Sequence, residues 1–502
     1  MSTLTDALAV AAQRTPDRVL VIDGDIELDA KTLQHRAESL AATMSQRMPT
    51  GSVVSFMLPN WHEAAVVYLA AALSGMVVNP ILPSLRDSEL RFILADADVR
   101  MIFIPARFRG FDYAAMLARV TTGMAAPPVV VVCRGTHPGF TGFAELAATP
   151  PAAPVPLDPS AVRMIMYTSG TTGRPKGVLH TDGSIAALIR QLGEHWRIDA
   201  GDTFLVPSPI AHIGGSIYAF ECPLLLGSTA VLMQRWDPDD AVALMQEHRC
   251  THMAGATPFL DGLLGAAERA GTRLPDLKVF ICGGASVPPS LIRRAADYFE
   301  RAIVTRVYGS TEVPVSTVGS PEHPDRAADT DGRAGIADLT VVDGEIRVRG
   351  PQMLAGYLHP EDNGAAFDED GYFRTGDLGR LTEDGYLVVT GRAKDLIIRN
   401  GENISPKEVE DILIGHTAIA EIAVVGVPDP RTGERACAVI VPADTTNASA
   451  PTVADLGEML GTHGLAKFKT PEQVVVWDTL PKNDAGKVLK HQIRATLMKG
   501  SH

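Results

Sequence analysis

The chain has 502 residues, of which 46% are hydrophobic and 21% charged, and a formal net charge of −14. That length exceeds what one hydrophobic core holds, so at least two domains are expected, and the composition excludes disordered and fibrous classes. The acidic balance excludes a nucleic-acid partner, which needs a basic face, but leaves room for a small polyanion held by a few cations and backbone N–H groups.

At the N-terminus, Thr5-Asp6 ahead of Ala-Leu-Ala-Val-Ala-Ala predicts a capped helix rather than a secretory leader. Residues 52–58 read as a strand, 61–73 as a helix, 77–82 as a strand, 88–97 as a helix and 100–105 as an extended run. The longest apolar stretch, 64–78, is interrupted by Ser74 and Gly75. It falls short of the roughly 20 residues a membrane span needs and reads as a buried helix followed by a strand. Residues 151–159 are Pro-rich and predict a surface link. Farther on, 251–254, 278–282 and 304–308 read as strands separated by helices at 259–270 and 288–299. Strands alternating with helices of this length predict an α/β fold with largely parallel sheets. From about residue 340 the pattern turns to short hairpin strands such as 345–349 and 386–390, with Asp384-Gly385 as a turn. After Gly391 a helix at 406–413, strands at 419–427 and 436–441 and a polar loop at 444–451 predict a small α+β domain. The boundaries expected are 1–391 for a large N-terminal domain and 392–502 for the small one.

Cys133, Cys222, Cys250, Cys282 and Cys437 are far apart and show no metal-ligand spacing. They read as buried, reduced thiols of a cytoplasmic protein. Oligomeric state is not legible, and a homo-oligomer stays open.

The strongest chemical signal is Tyr167-Thr168-Ser169-Gly170-Thr171-Thr172-Gly173-Arg174-Pro175-Lys176-Gly177, directly after the apolar strand 162–166. Glycines let backbone N–H groups approach a triphosphate, hydroxyls donate to it and the Lys176 ammonium offsets its charge. The spacing does not fit the GxxxxGK[ST] phosphate loop. A Ser/Thr/Gly linker would share this composition, but the preceding strand and the embedded Pro-Lys-Gly argue against one. The segment closely resembles the signature loop of the adenylate-forming enzymes: acyl- and aryl-CoA synthetases, nonribosomal adenylation domains and beetle luciferases.

Further stations of that family follow in order, over roughly residues 10–495. Tyr308-Gly309-Ser310-Thr311-Glu312 resembles the aromatic-Gly-x-Thr-Glu motif. The resemblance implies that Tyr308 stacks on adenine, Thr311 contacts the α-phosphate and Glu312 holds Mg2+, a hard cation that takes oxygen ligands. Gly283-Gly284-Ala285 resembles the segment lining adenine and the acyl pocket, to which Gly309 also contributes. His212 matches a station beside the acyl pocket; relatives carry an aromatic residue before it, where this chain has Ala211. A lone His in an apolar setting is more often a packed core residue. Asp377, in Tyr-Phe-Arg-Thr-Gly-Asp, is the implied ribose ligand, Arg392 sits near ribose or phosphate, and Lys394 is the implied hinge. Gly401 resembles the loop that meets the pantetheine arm of coenzyme A, with Asn400 where many relatives have a first glycine. Lys487, in Pro-x-x-x-x-Gly-Lys, is the implied catalytic lysine. On position alone it would be a solvated surface charge. Arg306 stands where many relatives have Gln.

The resemblance implies a large N-terminal domain of β-sheets flanked by helices, a small mobile C-terminal domain, and an active site between them. It also implies ATP, Mg2+ and coenzyme A as reactants or cofactors, with a carboxylic acid as substrate. Ile210-Ala211 stand where amino-acid-activating relatives place an Asp, so an amino acid is not expected, and no carrier-protein motif follows. A short- to medium-chain or alicyclic acid is the expected substrate. The alternatives are an aryl acid, or an acyl-AMP synthetase that loads a separate carrier protein.

Overall fold

The computed structural model describes residues 3–499 except 147–149, 151–153, 157, 169–173, 285–286, 320–322, 444–449 and 484–485. Every residue from Glu63 to Leu73 in helix His62–Leu73 is buried. A helix apolar all round has no face for solvent, and this one touches the strand Val19–Asp23 of one sheet and Val53–Phe56 and Val77–Pro80 of another. The apolar stretch noted in the sequence is therefore a core helix followed by a strand. No helix among the described residues is long and apolar enough to cross a membrane.

The first of these sheets has seven strands in the order Ile303–Val307, Val279–Gly283, His252–Gly255, Thr203–Val206, Thr229–Leu232, Val19–Asp23 and Ile26–Asp29. All neighbours are parallel except the last pair. The second has eight strands in the order Gly356–Tyr357, Lys176–Thr181, Val162–Thr168, Val77–Pro80, Val53–Phe56, Val99–Pro105, Val129–Cys133 and Thr141–Gly142. It is parallel except where Lys176–Thr181 meets its two neighbours. Strands buried on both faces read as continuous apolar runs, and that signal found seven of these fifteen strands, but not Val19–Asp23, Val129–Cys133, Thr203–Val206 or Thr229–Leu232. A four-stranded antiparallel sheet, Asp338–Val342, Glu345–Arg349, Phe373–Leu381 and Leu387–Arg392, completes the large N-terminal part. The mixed α/β class is as expected. The first helix begins two residues earlier than Thr5 suggested: Thr3 is the cap, in a reciprocal capping box with Asp6.

The smaller C-terminal part builds a sheet from Glu402–Ile404, Ile397–Arg399, Gly433–Pro442 and Ile419–Asp429, with Gln473–Val476 beside Gly433–Pro442. Strand alternation divides its residues. Val424, Ala438 and Ile440 pack with helices Pro406–Leu413 and Val453–Thr462, while Ala423, Val425, Cys437 and Val439 pack with Leu480 and Ile493. Its core begins at Ile397, whereas Leu387 still belongs to the core of the antiparallel sheet. All five cysteines are buried and free.

Candidate active site

Strand Val162–Thr168 runs antiparallel to Lys176–Thr181 with Thr168 opposite Lys176, so 169–175 are the residues between their ends in the chain. Ser169, Gly170, Thr171 and Thr172 lie outside the described residues. The strands on either side are pinned. The Tyr167 hydroxyl donates to Asp96 Oδ2 at 2.7 Å, and His359 Nε2 lies 2.9 Å from Asp96 Oδ1. The Lys176 ammonium is 3.2 Å from Asp362 Oδ1 and 4.9 Å above the Tyr357 ring. Arg174 donates to the other oxygen, Asp362 Oδ2, at 2.7 Å. Asp362 is here because strand Gly356–Tyr357 pairs with Lys176–Thr181, and the 3-10 turn Pro360–Asn363 follows it.

Strand Ile303–Val307 leads directly into Tyr308. A Cβ on Gly309 would fall 2.5 Å from the Val315 backbone nitrogen, so only glycine lets this loop close. The Tyr308 hydroxyl donates to Asp377 Oδ2 at 2.8 Å. Burial, and then the Asp377 charge, push that phenol well above its usual range, so it stays a donor. The Thr311 carbonyl accepts from His180 Nε2 at 2.7 Å. A carbonyl can only accept, so the proton of His180 is on Nε2. Burial lowers His180 to about 4, which keeps it neutral. Glu312 Oε1 accepts from the Tyr357 hydroxyl at 3.2 Å. Glu312, Tyr357, Lys176, Asp362 and Arg174 thus form one continuous chain of contacts.

Asp377 is buried, with Tyr308 on one oxygen and Arg392 Nε at 2.8 Å on the other, which leaves each oxygen a further lone pair. This pairing follows from the antiparallel register that sets Asp377 opposite Arg392. Lys487 arrives from the C-terminal part, and Arg392, Asp377, Lys394 and Asp395 are the charges it feels. Burial is the largest influence and Arg392 the next, and together they lower its ammonium to about 8. The loop carrying it is tied by Asn483, whose side chain accepts from Lys487 N at 2.8 Å and whose N–H donates to the Lys487 carbonyl at 2.9 Å. A Cβ on Gly486 would come 3.0 Å from Pro258 Cγ, so this loop closes against the N-terminal part.

Other predicted residues are not gathered with these. Asn400 and Gly401 both have positive φ, +51° and +84°, between two short antiparallel strands. Asn-Gly is the favoured pair for such a turn, so Asn400 replaces a glycine at little cost. The hairpin's partners Thr432, Glu434 and Glu472 are all C-terminal. His212 is half-buried at the N-cap of the short helix Ile213–Ser216. Gly284 is exposed with φ +81°, and Ala285 lies outside the described residues. Arg306 now has a physical account: its guanidinium pairs with buried Asp331 and donates to the Ala328 carbonyl. Asp331 in turn accepts from Val389 N at 2.8 Å. The strand that leads into Tyr308 is thereby tied to the strand that ends at Arg392.

Tyr357, Asp362, His180 and Asn483 were missed by sequence reasoning. Asp23, His62 and Glu63 also stand close enough to share a metal. The Arg134 guanidinium bonds both carboxylates, filling the place a cation would take.

The family model "AMP-binding enzyme" matches residues 8–358, and "AMP-binding enzyme C-terminal domain" matches 408–487. The chain belongs to the AMP-binding enzymes of the adenylate-forming superfamily, and it is an acid–thiol ligase by class. It is 34% identical to a medium-chain fatty-acid–CoA ligase of Escherichia coli (strain K12), over 99% of this chain and 91% of that one. It is 33% identical to the 3-[(3aS,4S,7aS)-7a-methyl-1,5-dioxo-octahydro-1H-inden-4-yl]propanoyl:CoA ligase of Rhodococcus jostii (strain RHA1), over 98% of each. A 2,3-dihydroxybenzoate–AMP ligase of Bacillus subtilis (strain 168) is 32% identical over 99% of this chain and 94% of that one. Among solved structures, ATP-bound MatB from Rhodopseudomonas palustris superposes with a TM-score of 0.87 at 28% identity, covering 99% of this chain and all of that one. The apo form of the same enzyme gives 0.76 with complete coverage of both.

Proposed function

We infer that this is an ATP-dependent acyl-CoA ligase acting in two steps. The observation that carries the reading is that Lys487 lies in the electrostatic reach of Asp377 and Arg392, and that Asp377 also holds the Tyr308 hydroxyl. In the first step the substrate carboxylate attacks the α-phosphorus of ATP, a P–O bond forms, and pyrophosphate leaves. Tyr308 stacks on adenine, Asp377 holds the ribose hydroxyls, and Thr311 with Thr168–Thr172 contacts the phosphates. The Lys176 ammonium steadies the outer phosphates, and the Lys487 ammonium stabilises charge shared by the carboxylate and α-phosphate. Glu312 is outside the one carboxylate-rich cluster close enough to share a metal among the described residues. Glu312 would hold Mg2+, a hard cation that takes oxygen ligands, beside the bound triphosphate. When bound, the ion would neutralise phosphate charge.

In the second step the coenzyme A thiol attacks the acyl carbonyl, a C–S bond forms, and AMP leaves. The Gly401 hairpin has its partners within the C-terminal part, away from this chain of residues. We therefore propose a domain boundary at 391/392 and a rotation about Lys394 that exchanges Lys487 for Gly401. The higher TM-score to the ATP-bound than to the apo form of the same enzyme supports assigning this arrangement to the first step.

The substrate reading is a short- or medium-chain or alicyclic acid, bordered by His212, Gly284 and Gly309. Its support is two of the relatives, one named a CoA ligase of medium-chain fatty acids and one of a bicyclic, alicyclic propanoic acid. The 2,3-dihydroxybenzoate–AMP ligase favours a second reading, an aryl acid or transfer to a carrier protein. Purified protein with ATP, Mg2+, coenzyme A and a panel of acids, read for pyrophosphate and thioester mass together, tests both. Thioester from an aliphatic or alicyclic acid supports the first. Pyrophosphate without thioester moves the acceptor to a carrier protein, and silence with every acid rejects the substrate reading.

A further inference from the structure

Asp362 places one oxygen on each of the two cations that follow the phosphate loop, Lys176 Nζ at 3.2 Å and Arg174 at 2.7 Å. Its carboxylate is only 13% exposed, against 20% for Lys176 and 40% for Arg174. Charges this sheltered are screened less than surface pairs. The turn that carries Asp362 is held on both sides. Asn363 Oδ1 accepts from Tyr357 N at 3.0 Å, and His359 binds Asp96, which also holds Tyr167 at the start of the loop. The carboxylate is therefore built into the site. Lys176 is also the cation that stands on the Tyr357 ring, whose hydroxyl reaches Glu312.

We propose that Asp362 is a resident anion occupying the phosphate-loop cations Lys176 and Arg174, and that it weakens the hold of the site on ATP and speeds the departure of pyrophosphate. This rests on the reading that Lys176 holds the outer phosphates. Two cations facing one carboxylate leave a net positive charge, enough to draw in a triphosphate. The incoming phosphates carry more charge than Asp362 and displace or share its partners. Once the P–O bond to the α-phosphorus breaks, Asp362 competes with pyrophosphate for the same donors. A neutral side chain of the same shape would leave both cations to the phosphates.

The test is calorimetric titration of inorganic pyrophosphate and of ATP into wild type and Asp362→Asn. The expected result is about five- to tenfold tighter binding of both by the variant, as expected for a removed like charge in a partly buried site. Pyrophosphate should inhibit acid-dependent turnover more strongly by a similar factor. In a Lys176→Met, Arg174→Met background the effect of Asp362→Asn should vanish, which a merely structural role would not produce. Asp362→Ser supplies the same comparison if the Asn variant melts early. Wild-type or weaker binding by a folded variant overturns the proposal. If removing Lys176 and Arg174 leaves pyrophosphate binding to the wild-type background unchanged, the phosphate-loop reading itself fails. If that removal weakens binding but Asp362→Asn does nothing, only the role of Asp362 fails.

Discussion

Lys176 stands on a strand inside an eight-stranded sheet, over an aromatic ring, with a carboxylate beside it. Lys487 stands on a loop of the smaller C-terminal part, closed by Asn483, and burial is what acts on it most. The first cation is fixed in position and partnered by a carboxylate that it shares with Arg174. The second is brought in by a separate body and carries a charge that its surroundings disfavour until an anion arrives. A paired cation suits holding a substrate in every state of a cycle, whereas an unfavourably charged one contributes most when negative charge appears beside it.

The largest expected effect would sharpen this contrast. Lys487→Ala should lower acid-dependent ATP–pyrophosphate exchange by about a thousandfold, on the order of 4 kcal/mol of transition-state stabilisation. Thioester formation from supplied acyl-AMP should stay largely intact, and equal loss of both half-reactions would erase the distinction. Next is a cation buried more deeply than Lys176. Arg306→Met strands Asp331 in the interior and should cost about 3–5 kcal/mol of unfolding free energy in denaturant titration. A third outcome concerns pH. Lys487 in the free enzyme is charged below about 8 and neutral above it, so kcat/KM for adenylation should fall as pH rises through that value. Bound phosphate favours the charged form, so the same limb in kcat should lie higher. The thioester step should rise instead, as the thiol with a pKa of about 8.5 ionises. A flat adenylation profile from pH 7 to 9 would show that Lys487 is ordinary. Smallest is His180→Ala, which leaves the Thr311 carbonyl unpaired. It should raise KM for ATP and lower kcat by about tenfold in total, a typical cost of an unsatisfied buried acceptor. His180→Gln, which restores a donor, should recover part of it.

The stations of this site were legible where the chain itself concentrates them. Tyr308–Glu312, Asp377, Arg392 and Lys487 sit in short motifs, and the structure brings Tyr308 and Arg392 onto Asp377, with Lys487 in the electrostatic reach of Asp377 and Arg392. Seven strands of the two large sheets were legible because they are apolar on both faces, and helix Thr257–Ala270 because its apolar side repeats at helical spacing. Asp362 was not, because Pro-Glu-Asp-Asn reads locally as a solvated turn. Only the pairing of strand Gly356–Tyr357 with Lys176–Thr181 carries it to the cations. His180 was hidden for the same reason: its partner, Thr311, is 131 residues away in the chain. Arg306 was visible as a departure but not explicable until Asp331 was seen beside it. The first cap was misplaced because Thr3 and Thr5 are equivalent in composition, and only the reciprocal bond with Asp6 distinguishes them.

Helix His62–Leu73 has a consequence for how the chain reaches this state. It is the shared filling of two sheets, so neither sheet can close its core until that one helix is in place. The N-terminal part should then melt as a single cooperative unit, and no half of it should survive as a folded fragment. The C-terminal part, with both faces of its sheet already covered by its own helices, owes nothing to that helix. Scanning calorimetry of the whole protein should resolve two transitions, and Ala70→Glu, in the middle of the buried helix, should move one of them and leave the other where it was.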